Sequence, residues 1–433
     1  MKEEIQPEPT ADPKNPTFSA ISAPHRGNHR GGLALLILFR ISRSIAAGMM
    51  IVALPYLVLT TLHDSSLTLG VLYVAGVMST AVLAVATGHL ADRWSYKGTL
   101  FITGIMLPAS ALMVYTNASF PLLMAASIIG GFAANGSLIG GGVGGAAQPA
   151  QTAVIALLST PENRTRYYSA LAFLSGIAGA GGALLAHYFS TRNTFLAAGI
   201  ISLSGIAAIP GVRLPKKPAV SSVPVKQSRR AIRHFSITGA LNGLSQGFIT
   251  PFLIPFFVLV YHLSKSRMAV YTAIASILGS LALLAAPALE RRLGFVRGIT
   301  FTRALGTALL LVMAMWHNVW IGLIIYLLTP ALRIAALPAQ QSALINRVDG
   351  GSMGRALAMN QVTRLSASSA AMICTGFLFD VSEIEMPFFL FAGVMAVNIY
   401  LYYRFFGHDG QNGVVEPAAA TRGATAQEPP LNM

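Results

Sequence analysis

Five arginines lie inside long apolar runs of this chain, where an ionised side chain is costly. No Asp or Glu lies well inside any of these runs, so no carboxylate is available there to neutralise them. Arg333 is nearest the middle of its run, Arg364 lies in the inner half of another, and Arg43 is intermediate. Arg40 and Arg303 lie near the ends and are expected to reach the lipid headgroups. A guanidinium without a protein counter-charge can grip a carboxylate or phosphate through two parallel hydrogen bonds.

Neutral polar side chains accompany these arginines on the same runs. Asn360 precedes Arg364 by one turn, and Gln340 follows Arg333 by seven residues, so each pair shares a helical face. Hydrogen bonds between packed helices would explain such residues equally well, and both interpretations stay open. The candidate substrate-binding residues are Arg43, Arg333, Arg364, Asn360, Asn242, Gln246, Gln151 and Gln340.

The composition of the 433-residue chain excludes most classes of soluble protein. It contains 54% hydrophobic and 10% charged residues, whereas soluble chains carry roughly 25% charge. The mean hydropathy of +0.61 is too high for a water-exposed surface. A soluble enzyme, a disordered chain and a disulfide scaffold are therefore excluded, and the single cysteine, Cys374, allows no intrachain disulfide.

The apolar residues form twelve segments, most of them long enough for a transmembrane helix of roughly 20 residues. Continuous apolar runs differ from the short alternating strands of a transmembrane barrel. We therefore predict an all-α membrane protein with twelve transmembrane helices. The segments are 33–62, 68–90, 99–116, 119–158, 167–190, 194–212, 235–262, 268–289, 298–316, 319–345, 356–380 and 385–406.

The basic residues predict the orientation of these helices. In a soluble domain a net charge of +15 would suggest nucleic acid, but here the position of the charges is informative. With both termini on one side of the membrane, that side holds 22 of the 30 Lys and Arg residues and the other side holds three. The excess predicts that both termini are cytoplasmic. We expect a multi-pass protein of a bacterial inner membrane, without a nucleic-acid partner.

A basic loop divides the chain into two halves. The loop, 213–234, carries seven basic residues and no acidic one. It separates predicted six-helix bundles at 33–212 and 235–407, and we expect the polar ends, 1–32 and 408–433, to be disordered cytoplasmic tails. The loop could bind anionic lipid headgroups, or it could serve as a solvated anchor of the topology.

The two halves repeat. Segment four contains Pro-Ala-Gln at 149–151 and segment ten contains it at 338–340, and Arg166 and Arg355 follow after the same spacing. Parallel repeats of this kind occur in transporters, with the binding site near the membrane midplane between the halves. The sequence therefore predicts two pseudo-symmetric bundles. A weaker repeat aligns Asp92 and Arg93 with Glu290 and Arg291.

Residues 33–407 resemble the major facilitator superfamily. The family pattern Gly-x-Leu-Ala-Asp-Arg-x-Gly-Arg-Lys corresponds to 88–97, with six matching letters, but Ser95 replaces the second Gly and Tyr96 replaces the second Arg. The resemblance implies a secondary transporter of a small solute that works by alternating access, without a cofactor. It also implies that this loop stabilises the state that is closed towards the cytoplasm. The candidate gating residues are Gly88, Asp92, Arg93, Lys97, Glu290, Arg291 and Arg297.

The unneutralised arginines favour an anionic or zwitterionic substrate. A drug or metabolite exporter of the same family is an alternative, because the glycine-rich stretch 176–182 is similar to an exporter motif, although such glycines also permit close helix packing. An alternative of another class is a non-transporting membrane sensor or scaffold. We find no zinc-ligand spacing, nucleophile motif or carboxylate pair, so neither an enzyme nor a metal site is predicted. We expect the protein to be a monomer.

Segment four is too long for one ordinary span. Residues 120–158 contain no charge and would form a helix close to 60 Å long, against a hydrocarbon thickness of about 30 Å. The excess falls at the glycine-rich stretch 135–145, where we predict a bend, a break or an extension beyond the bilayer. A G-x-G-x-x-G match there lacks the strand that a dinucleotide site requires.

Overall fold

In a computed structural model of the chain, the described residues are mainly helical and form no strand; they are 29–132, 151, 154, 155, 161–212, 229–335 and 353–406. The predicted all-α fold is confirmed. The helices are α1 His29–Tyr56, α2 Ser66–Arg93, α3 Tyr96–Thr116, α4 Phe120–Gly130, α5 Pro161–Leu185, α6 Thr191–Ile206, α7 Arg229–Ile249, α8 Leu253–Tyr261, α9 Lys265–Leu293, α10 Phe295–Met315, α11 Val319–Ala335, α12 Met353–Asp380 and α13 Met386–Phe406.

The helices correspond to the predicted segments. Among the described residues, ten helical stretches are long and apolar enough to cross a membrane, and α7 with α8 forms one of them. Two shorter apolar helices, Phe120–Gly130 and Val319–Ile334, fall in segments four and ten. Each of the twelve predicted segments therefore contains a helix of suitable composition.

The first and seventh segments each contain a stretch of irregular helix. After Pro55, α1 continues as a π-helix over Leu57–Thr61. The seventh segment is interrupted by a 3-10 turn at Thr250–Phe252, between α7 and α8. Prolines lack the N–H that an α-helix needs, and Pro251 lies inside this turn. The irregular turn places the Thr250 side chain in the interior of the C half.

Helix packing repeats between the two halves. In the N half (α1–α6), α1 packs on α5 and α6, α3 on α6, and α2 on α4. In the C half (α7–α13), α7 packs on α12 and α13, α10 on α13, and α9 on α11, which are the equivalent pairs. The halves join where α2 meets α12 and where α5 meets α9. The predicted boundaries in the tails and the basic loop lie largely outside the described residues and stay predictions.

Glycines allow the closest of these helix contacts. A Cβ built on Gly182 would overlap the backbone carbonyl of Ile45 on α1, and one on Gly243 of α7 would overlap the carbonyl of Arg364 on α12. Gly48 approaches the Gly179 carbonyl in the same way. The glycine-rich stretch of segment five therefore serves close helix packing, which was one of its two interpretations.

Helix α4 ends earlier than the sequence suggested. It stops at Gly130, and Gly131 adopts a left-handed conformation with φ of 61°, the usual geometry of a glycine after a helix end. Its 11 residues span about 16 Å, roughly half of the hydrocarbon thickness. The predicted irregular stretch, 135–145, lies outside the described residues.

Replacement of Gly243 by Ala should destabilise the C half. The new methyl group would overlap the Arg364 backbone, and such overpacking costs roughly 1–3 kcal/mol. Gly306→Ala is the matched control, because a Cβ there meets nothing within 4 Å and alanine favours the helix. Thermal unfolding of purified protein in detergent should show a lower midpoint for Gly243→Ala and an unchanged or higher one for Gly306→Ala. Equal midpoints for the two variants would contradict the packing described here.

Candidate functional site

The two halves seal against each other at the end of the molecule where α2 and α9 begin, which we call the outer end. The largest apolar cluster lies there and combines side chains of both halves. The ring of Phe252 lies 6.2 Å from that of Tyr73 on α2 and 5.3 Å from that of Phe379 on α12. All three rings are buried. The Tyr56 hydroxyl on α1 donates a 2.6 Å hydrogen bond to the Leu263 carbonyl of the C half.

The opposite end holds the acidic residues of the two loops that the repeat aligned. Because α2 and α9 both start at the outer end, Asp92 and Glu290 lie near the far ends of the two helices, on one face of the molecule. The arrangement agrees with a pseudo-twofold axis along the helices, as the parallel repeat predicted.

Arg43 is held inside the N half. Its side chain is 6% exposed, and Nη1 donates hydrogen bonds to the carbonyl oxygens of Thr103 at 2.9 Å and Gly104 at 3.3 Å. The guanidinium also lies over the ring of Phe39, 5.4 Å from its centroid. Backbone carbonyls of α3 therefore compensate this charge, and the contacts join α1 to α3.

Arg40 and Arg303 find partners inside the protein, although the sequence suggested that they reach the headgroups. Arg303 donates to Asn398 Oδ1 at 2.8 Å and lies over the ring of Tyr402 at 4.8 Å. Arg40 donates from Nη1 to Gln151 Oε1 at 2.6 Å. The sequence of one segment does not reveal the polar and aromatic groups that neighbouring helices contribute. In this protein those groups, and not the lipid headgroups, bind the two arginines.

Arg333 anchors a polar chain at the break of the seventh segment. Its Nη1 donates to Thr250 Oγ1 at 2.7 Å, and Thr250 donates to Gln246 Oε1 at 2.9 Å. Asn242, Gln246 and Thr250 follow one another at intervals of four residues and share one helical face. All of Arg333, Gln246 and Thr250 are partly exposed, so this face borders open space.

Arg364 lies close enough to Arg333 for the two positive charges to repel each other. Its Nη2 donates to Gln361 Oε1 at 2.8 Å, and Gln361 is exposed. Asn360 lies one turn before Arg364 on α12. Its buried Oδ1 has no hydrogen-bond partner among the described residues and packs against Gly239. Two guanidinium groups and an unpaired amide oxygen thus gather between α7, α11 and α12.

Neither Arg333 nor Arg364 pairs with a carboxylate in the part of the chain that the structure describes. The ion pair found there, between His317 and Glu385 at 3.0 Å, joins two loops that lie at the outer end. The same residues contain no group of three or more His, Cys, Asp and Glu side chains that could hold a metal ion. The site therefore carries an excess of positive charge.

The N half holds a guanidinium group in an equivalent position. Arg40 donates from Nε to Ser175 Oγ at 2.8 Å, in addition to its bond with Gln151. The alignment of Arg166 with Arg355 carries Ser175 onto Arg364 without a gap. The repeat could have indicated Arg40 as a site residue, because Gln151 and Ser175 match Gln340 and Arg364. Gln340 itself lies outside the described residues.

The predicted gating residues are only partly described. Lys97 Nζ donates to the Pro210 carbonyl at 2.5 Å, just beyond α6 in the same half. Ser95, which replaces the family's Gly, caps α3 by accepting the Gly98 N–H at 2.9 Å. Arg297 is exposed on the first turn of α10. Gly88 and the side chains of four further residues at the ends of α2 and α9, Asp92, Arg93, Glu290 and Arg291, lie outside the described part, so their gating role stays a prediction.

Comparison with known proteins identifies the fold. The family model described as Major Facilitator Superfamily matches residues 36–371. A bacterial homolog of the human lysosomal transporter Spinster, in an inward-facing, unoccupied conformation, superimposes with a TM-score of 0.68 at 12% identity over 89% of this chain and 99% of that one. The nucleoside transporter NupG gives a TM-score of 0.66 at 13% identity, over 87% of this chain and 99% of that one.

The human organic anion transporter MFSD10 (TETRAN) superimposes with a TM-score of 0.61 at 13% identity, over 86% of this chain and 99% of that one. No protein of curated function matches the chain in sequence. At these identities the likeness extends to the fold alone.

The arginines should divide into two groups when each is replaced by Met. Arg43→Met and Arg303→Met remove bonds to buried acceptors, such as Asn398 Oδ1, and should lower the free energy of unfolding by roughly 1–3 kcal/mol. Arg333→Met and Arg364→Met each relieve a repulsion between like charges, so stability should stay or rise. Thermal unfolding in detergent distinguishes these outcomes, and losses of equal size in all four variants would contradict the division.

Proposed function

The chain belongs to the Major Facilitator Superfamily and is a secondary transporter, and we propose that its substrate is a small anion or zwitterion bound between the two halves. The observation that carries this proposal is the pair Arg333 and Arg364, partly exposed, mutually repelling and bonded only to neutral groups among the described residues. Asn360 lies on α12 with Arg364, Asn242 and Gln246 lie on α7, and these three residues would complete the site.

The electrostatics of the pair favour an anionic ligand. Two guanidinium groups repel each other more strongly in a low-dielectric interior than in water. A carboxylate or phosphate placed between them would replace this repulsion with charge-assisted hydrogen bonds. Asn360 is partly exposed one turn from Arg364, and its side-chain amide could bind a hydroxyl or ammonium group on the same ligand. A zwitterion would satisfy both features.

The N half would supply the facing side of the site through Arg40 and Gln151. Arg40 is partly exposed and uses two of its N–H groups on Ser175 and Gln151, which leaves donors for a ligand. Gln340 is proposed for the equivalent place in the C half. We assign Arg43 to the stability of the N half rather than to the ligand, because its hydrogen bonds to the Thr103 and Gly104 carbonyls join α1 to α3.

The fold alone does not identify the substrate. The similar structures include a nucleoside transporter, an organic anion transporter and a homologue of an iron transporter. The charge at the site is more informative about the substrate than the fold is, because Arg333 and Arg364 have no carboxylate partner among the described residues. The glycine stretch of α5 is occupied in packing against α1, so it gives no separate support to a drug exporter. Partly exposed polar groups at the site favour transport over a fully packed scaffold.

We further propose that both termini are cytoplasmic and that the protein resides in a bacterial inner membrane as a monomer. The bias of 22 basic residues against three supports the orientation. The basic loop 213–234 would then face the anionic lipids of the cytoplasmic leaflet.

Arg333→Lys should impair transport although it keeps the charge. Lysine lacks the planar fork that grips a carboxylate with two hydrogen bonds, so we expect at least a tenfold loss of apparent affinity, the effect of about 1.4 kcal/mol. Arg333→Gln should lose more apparent affinity, because it also removes the positive charge. Uptake of a panel of organic anions into proteoliposomes, normalised to folded protein, measures both.

Arg404→Lys is the matched control, because Arg404 is exposed at the end of α13, away from the proposed site. Normal transport per folded molecule in both Arg333 variants would remove the residue from the site. A panel in which only neutral or cationic solutes are carried would overturn the anionic substrate itself.

Asp92→Asn should shift the conformational balance towards the inward-open state. The substitution removes a charge that can act on a neighbouring helix end in one state only, which is an effect on the order of 1 kcal/mol. Labelling of single cysteines from each side, in a Cys374→Ala background, measures the shift. Asp64→Asn, at the start of the same helix, is the control for a general loss of charge. Unchanged labelling on both sides would reduce Asp92 to a solvated turn residue.

A further inference from the structure

The outer end is joined by two charged side chains of the C half. Asp380 is the last residue of α12 and Lys265 is the first residue of α9. Each reaches across to the N half, at one of the two places where the halves meet. Neither pairs with an opposite charge among the described residues; both contact backbone groups at helix ends.

Asp380 caps the N-terminus of α2. Its Oδ1 accepts the Ser66 N–H at 2.6 Å and its Oδ2 accepts the Leu67 N–H at 3.0 Å. The Ser65 hydroxyl accepts the next N–H, that of Thr68, at 3.0 Å. The first N–H groups of a helix have no partner within the helix, and a negative charge is favourable beside them. Two of the three capped groups therefore depend on the other half.

Lys265 caps the C-terminus of α5. Its Nζ donates to the Ala186 carbonyl at 2.8 Å, to the Phe189 carbonyl and to Thr194 Oγ1 at 3.1 Å. Ala186 follows Leu185, the last residue of the helix, and Phe189 ends the turn that comes after it. Carbonyls at a helix C-terminus lack helical partners and favour a positive charge. The ammonium group of Lys265 therefore stabilises this end of α5.

We propose that Asp380 and Lys265 form the outer gate of this transporter, two charged caps from the C half that hold helix ends of the N half and stabilise the outward-closed state. When the outer end opens, α2 and α5 lose these caps and water must take their place. Water can satisfy exposed backbone groups at a membrane surface, so the gate opens at modest cost. The gate stabilises one conformational state and does not contact the ligand, so its effect does not depend on which substrate is transported.

The N half offers a matched control for each cap. Asp64 also lies at the start of α2, where its Oδ1 accepts the Ser65 N–H at 2.7 Å, but Asp64 and α2 belong to the same half. Asp64→Asn therefore removes a charge beside the same helix end without touching the contact between halves. It separates a gating effect of Asp380→Asn from a general loss of negative charge.

Arg192 is the control for Lys265. It donates to the carbonyls of Tyr115 at 2.7 Å and Thr116 at 2.8 Å, at the C-terminus of α3 within the N half. Arg192→Gln and Lys265→Gln thus each remove a basic cap of a helix C-terminus. Only the second removes one that joins the two halves.

Met372→Cys, in a Cys374→Ala background, reports the opening of the gate. Met372 is fully buried in the apolar cluster that combines side chains of both halves, and its backbone contacts Gly70 of α2. The new thiol should therefore become accessible from outside when α2 and α12 separate. The reaction with a membrane-impermeant maleimide, applied to intact cells, should accelerate about fivefold in Asp380→Asn and in Lys265→Gln. The double variant should accelerate about 25-fold, because the two caps are separate sites.

The control variants should differ from the gate variants in their labelling rate. Asp64→Asn, Arg192→Gln and the charge-retaining Lys265→Arg should label at the parental rate. Labelling is counted per molecule that elutes as a folded species, so a variant that accumulates poorly still reports its state. Unchanged labelling in both gate variants, or equal acceleration in the gate variants and their controls, would overturn the proposed gate.

Discussion

A positive charge inside a bilayer must be compensated by the protein, by water or by a ligand, and this requirement organises the interior of the molecule. Arg43 is compensated by the carbonyls of α3, and Arg303 by an amide and an aromatic ring of α13. Among the described residues, Arg333 and Arg364 receive only a hydroxyl and an amide, while they repel each other. The arginines that stabilise the halves are thus distinguished from those available to a solute by what surrounds them.

The same requirement applies to backbone groups at helix ends, and it explains how the two halves attach reversibly. The groups at the outer end are satisfied by Asp380 and Lys265 across the junction when it is closed, and by water when it is open. Contacts of this kind are worth on the order of 1 kcal/mol each, too little to trap one state. A salt bridge buried at the same place would be far more costly to break.

Patterns local to a segment were predictable, and partners between segments were not. The twelve apolar segments and the repeat followed from hydropathy and spacing, and the helices agree with them. The end of α4 at Gly130 was missed because many glycines compete in that segment and only packing selects one. The partners of Arg40 were missed because Gln151 and Ser175 are more than 100 residues away in sequence. Thr250 gained its role only through the 3-10 turn that presents it to Arg333.

The repeat sets a symmetric frame that the side chains use asymmetrically. If the halves were identical, exchanging their conformations would convert the state closed at one end into the state closed at the other end. The two states would then have equal free energy. The halves differ, because both charged caps of the outer end come from the C half, and because the guanidinium of the N-half site lies on α1 while those of the C-half site lie on α11 and α12. These few residues therefore set the difference in free energy between the two states, while the shared helix packing sets the path between them.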